Sequence, residues 1–73
     1  MTHSDYFRAL EFARDEVREL AAAIAGEMHA ARTRPHGELA PNTDRIVAEL
    51  ARAVNVLRAL ALAGPPPHDD SGL

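Results

Sequence analysis

The chain has no cysteine, no tryptophan and no lysine, and only three of its 73 residues are aromatic. Without cysteine there are no disulfides, thiolate zinc sites, iron–sulfur clusters or sulfur nucleophiles. Without lysine, every fixed positive charge is one of eight arginines, set against eleven acids for a formal charge of −3. That balance disfavours nucleic acid as the main partner. The longest unbroken apolar run, 20–25, is six residues, far short of the roughly 20 that span a bilayer. Acids near the start replace the basic and apolar regions of a secretion signal. The expectation is a soluble, unprocessed, cytoplasmic chain without membrane contact.

What is present is helical periodicity. On a wheel of about 100° per residue, Tyr6, Phe7, Leu10, Val17, Leu20, Ile24 and Met28 fall in one stripe, filled in by Ala13, Ala21 and Ala31. The run Thr2, His3, Ser4, Asp5 resembles a capping box. Pro35 disfavours helical geometry at Arg34, so the first helix is predicted over about 4–32. The segment 33–41 holds Pro35, Gly37 and Pro41 and reads as a loop, with Leu39 its one large apolar anchor. A second helix is predicted over about 43–63, capped by Asn42 or Thr43. Its stripe is Ile46, Val47, Leu50, Val54, Leu57, Leu60 and Ala61, and Gly64 with three prolines ends it.

The fold expected is all-α: an antiparallel two-helix hairpin over residues 1–64, followed by a flexible proline-rich tail over 65–73. A lone hairpin leaves much of both stripes uncovered, so self-association into a four-helix bundle is expected, as a homodimer or a tetramer. Heptad phase alone allows parallel or antiparallel pairing of subunits, since Asn55 sits off the stripe and fixes no register. Antiparallel packing with a short loop sets Leu62 beside Phe12. Tyr6 and Phe7 then extend past the second helix. The small residues Ala22, Gly26 and Ala30 recur at four-residue spacing on the other side of the first helix, a spacing that permits a second packing surface but is mainly diagnostic in membranes.

Chemical motifs are sparse. No two of His3, His29, His36 and His68 have the i, i+4 spacing of a helical metal site. A shared site would need His29 and His36 to meet beside Glu27 or Glu38, or the tail run His68, Asp69, Asp70 to hold a cation. Neither is favoured over exposed histidine, and no metal or cofactor is expected. Glu11, Asp15, Glu16 and Glu19 read as a solvated helix surface. The only serines are Ser4 and Ser71, and no phosphate-binding loop or nucleophile motif is present. No catalytic residues and no enzymatic activity are therefore expected.

The functional expectation is a small regulatory or adaptor module. It oligomerises through its helices and binds a larger protein. The interface residues are Tyr6, Phe7, Leu10, Phe12, Val17, Leu20, Ile24, Met28, Ile46, Leu50, Val54, Leu57 and Leu60. Arg32, Arg34 and Arg45 cluster near the loop as candidate anion contacts, which supports an alternative reading as a nucleic-acid-associated regulator. A third reading is an accessory subunit completing a larger enzyme. The prolines after Gly64 read as a helix stop rather than as a polyproline ligand.

Overall fold

The structure, a computed structural model, describes residues 2–67. It contains two helices, α1 (His3–Ala31) and α2 (Thr43–Ala63), and no strand among the described residues. The tail residues His68, Asp69 and Asp70 lie outside the described residues, as does most of the expected flexible tail.

Local chemistry sets the helix ends. The Thr2 hydroxyl accepts the Asp5 N–H at 3.0 Å, and the Thr2 N–H donates to the Asp5 carboxylate at 3.4 Å. This reciprocal pair is the expected capping box. At the other end, the N–H groups of Arg32, Thr33 and Arg34 bond back three residues to His29, Ala30 and Ala31. This tighter turn satisfies carbonyls that the helix leaves open before Pro35. α2 ends at Gly64, whose N–H bonds the Leu60 carbonyl at 3.1 Å. Gly64 has φ 71° and ψ 171°, a conformation essentially confined to glycine.

The helices pack against each other along a narrow seam. The shielded positions of α1 include His3, Tyr6, Leu10, Ala13, Val17, Leu20, Ile24, Glu27 and Ala31, separated alternately by three and four residues. Those of α2 are Thr43, Ile46, Leu50, Ala53, Leu57 and Leu60, in the same alternation. This is a heptad seam, the 3.5-residue repeat that keeps two helices in contact over their length. Its most buried members include Ala13, Ala31 and Ala53, which are small enough to bring the backbones close. Among the described residues no large side chain is fully enclosed, Tyr6 coming nearest, because a single layer of two helices leaves most seam side chains partly open.

Two polar contacts set the register. The Tyr6 hydroxyl donates to the Leu60 carbonyl at 2.7 Å, and the Ala40 N–H donates to the Glu27 carboxylate at 2.6 Å. Stepping by heptads from Tyr6 and Leu60, Leu10 comes level with Leu57, Ala13 with Ala53 and Val17 with Leu50.

This register corrects the expected overhang. Tyr6 is not beyond α2 but buried against it, at 4% exposure, and a His3 ring nitrogen lies 2.6 Å from the Pro66 carbonyl. The reason is the loop, which doubles back along the last turns of α1. α2 therefore starts level with Ile24, and the extra length of α1 lies at the loop end. Leu39 is correspondingly no buried anchor, being 50% exposed. The Ala40 backbone and the Glu27 carboxylate hold the loop instead.

Candidate interaction surface

The heptad seam divides the apolar residues differently from the broad wheel. Of the expected interface residues, Tyr6, Leu10, Val17, Leu20, Ile24, Ile46, Leu50, Leu57 and Leu60 lie in the seam between α1 and α2. Phe7, Met28 and Val54 do not. Each follows a seam residue by one position, as does Val47. On an antiparallel pair these flanking rows fall side by side and form one broad face of the hairpin. All four are exposed. Leu39 adds to the same face at the loop end, where it lines an open groove with Met28, Ala31, Arg32 and Gly37. Farther along, Leu10, Glu11, Arg14, Leu57 and Ala61 line a second groove. Phe7 stands edge-on to Tyr6, with ring centroids 5.1 Å apart, so it is braced from below and open above.

The opposite face differs in kind. Phe12 is 71% exposed and sits with Val56 in a groove that also includes Asp5, Arg8, Ala9 and Glu16. Next to it Glu16, Glu49, Arg52, Ala53 and Val56 line a polar groove. Phe12 thus belongs to the charged face and not with Phe7. Gly26 lies on this side as well, and a Cβ built there meets nothing within 4 Å. Within one chain, the small-residue spacing around Gly26 serves no close approach.

The arginine cluster is largely engaged. Arg34 forms an ion pair with Glu27, and its Nη1 also donates to the Glu38 carbonyl at 2.7 Å. The Arg34 hydrogen bond, then the Ala40 N–H, hold the Glu27 carboxyl below its ordinary range despite partial burial. The same carboxylate raises the Arg34 guanidinium. Arg45 lies 3.5 Å from Glu49 one turn along α2. Arg32 is exposed beside the loop-end groove. Glu27 is the site residue that stripe reasoning passed over. It occupies a seam position, three residues after Ile24 and four before Ala31, and that spacing was its signal.

Among the described residues, no three histidines or acids lie together in a way that could hold a metal ion, and no helix is long and apolar enough to cross a membrane. Compared with protein-family models, with curated proteins and with solved structures, the chain shows no match.

Proposed function

We propose that the chain is a non-enzymatic interaction module that self-associates through the face carrying Phe7, Met28, Val47 and Val54, and that the resulting bundle serves a larger protein as a regulatory or adaptor element. The observation that supports this most directly is the segregation of exposed apolar side chains. Among the described residues, five of the eight large exposed hydrophobics (Phe7, Met28, Leu39, Val47 and Val54) share one face. Isolated exposed apolar residues are ordinary, but their concentration on one face favours an interaction surface.

Surface area supports the same reading. The chain exposes 5738 Å². That is roughly 1,300 Å² more than the approximately 4,400 Å² expected of a compact monomer of this mass. A standard interface covers about 800 Å² per partner. Nucleic-acid binding by the loop end has less support, since Arg34 and Arg45 already have carboxylate partners.

The test is light-scattering mass across a concentration series, with circular dichroism on the same samples. A helical dimer or tetramer at micromolar concentration supports the proposal. A monomer throughout overturns self-association and assigns the face to another protein.

A further inference from the structure

Along the helices the exposed apolar face is bordered by charges that have no ion-pair partner within the described chain, Glu11 and Arg18 on α1 and Asp44 and Arg58 on α2, and at the loop end by Arg32. The four helical charges occupy one heptad position, the outer row beside the apolar flanking rows. On α2 this row reads Asp44, Ala51, Arg58, with the acid and the base each two turns from Ala51, about 10 Å along the axis. A two-fold axis through Ala51, perpendicular to the helix, sets Asp44 of one copy against Arg58 of the other, twice. It also brings Val47 within one residue of level with the other copy's Val54 and places only a methyl group at the crossing.

The same axis suits α1. Glu11 and Arg18 are centred between Arg14 and Asp15. Counting from the register of Tyr6 with Leu60, Ala51 comes level with Asp15. The two centres thus agree to about one residue, roughly 1.5 Å along the helix. One axis therefore gives each of Glu11, Arg18, Asp44 and Arg58 an opposite charge across the interface, while Arg32, past the end of α1, lies outside the paired rows. Arg14, the one charge in the flanking rows, already has Asp15 at 3.0 Å.

We infer that the occupant of this face is a second copy of the chain, stacked with α2 antiparallel on α2 and α1 antiparallel on α1 about a two-fold axis at Ala51. The inference rests on the self-association proposed above and adds the symmetry and contacts of the pair. An interface of this kind is self-complementary, as two-fold symmetry requires. The charges select register and the apolar rows supply affinity.

The test uses the full chain, which contributes no cysteine of its own. Two α-carbons closer than about 7 Å can be bridged by a disulfide. Ala51→Cys should therefore give a covalent dimer on mild oxidation. Ala48→Cys, exposed on the outer side of α2, should not. Asp44→Arg and Arg58→Asp should each weaken the dimer about tenfold, since each creates two like-charge contacts. The double exchange should restore affinity to within a few-fold. If Ala51→Cys does not cross-link and the double exchange is weaker than either single one, the stacking is instead α1 on α2, and the axis is overturned while self-association stands. A dimer indifferent to all the exchanges also overturns it. A monomeric wild-type chain by light scattering overturns both inferences, and that mass distinguishes the two failures.

Discussion

Thr43 opens α2 and is 5% exposed, with no hydrogen-bond partner for its hydroxyl among the described residues. Its place in the seam opposite α1 explains the burial. Its residue type suggested a cap, but the hydroxyl makes no capping bond, and neither does the Asn42 side chain. A buried hydroxyl without a partner costs on the order of 1–3 kcal/mol in lost hydration. Valine has nearly the same shape and no such group. Thr43→Val should therefore raise stability by about 1 kcal/mol, seen as a higher urea midpoint at unchanged helicity. A lower midpoint would show that the hydroxyl has a role at the helix start that burial alone does not reveal.

At the scale of elements, the loop end is held by charge more than by apolar contact. Glu27 accepts from the Ala40 N–H and from Arg34, and Arg34 also holds the Glu38 carbonyl. Because these bonds favour the ionised carboxylate, its titration in the folded chain lies below the ordinary value of 4.5. A carboxyl with a depressed folded value stabilises fully above its unfolded value, and that stability is lost as pH falls through the folded one. Acidification below about 4.5 should thus loosen the loop end progressively. Glu27→Gln should be less stable than the wild type at pH 7 and should lose this part of the acid dependence. Unfolding curves from pH 7 down to 3 check both outcomes, and parallel curves for the two chains would show that the clasp contributes nothing.

The helices themselves were legible: the capping box at Thr2, the stop before Pro35, and Gly64 followed by prolines are local signals, and the observed ends match them within a residue or so. Two features were not. A 100° wheel collects every residue within a broad arc and so merges Phe7 with Tyr6 and Val47 with Ile46. The 3.5-residue seam separates them, but it becomes visible only once alanine, Thr43 and Glu27 count as seam residues. The register escaped for a different reason. It depends on how far the loop runs back along α1, and that is set by a backbone N–H on Ala40, which carries no sequence signature.

For the whole molecule, the consequence is that folding and association are coupled. A hairpin with no fully enclosed large side chain gains little from each half-covered residue, so a second layer supplies a large share of its burial. If the second layer is another copy, stability depends on protein concentration. Unfolding a dimer of this size absorbs about 100 kcal/mol, at 0.7 kcal/mol per residue, so each tenfold dilution should lower Tm by about 5 °C. The faces can then be told apart. Phe7→Ala with Val54→Ala removes side chains that are 49% and 42% exposed in the hairpin. The pair should lower Tm and abolish most of its concentration dependence. Phe12→Ala with Val56→Ala removes comparable apolar bulk, 71% and 50% exposed, from the charged face, and should leave the concentration dependence intact. The reverse pattern would move the interface to the Phe12 side. A Tm independent of concentration in the wild type would mean that the hairpin stands alone.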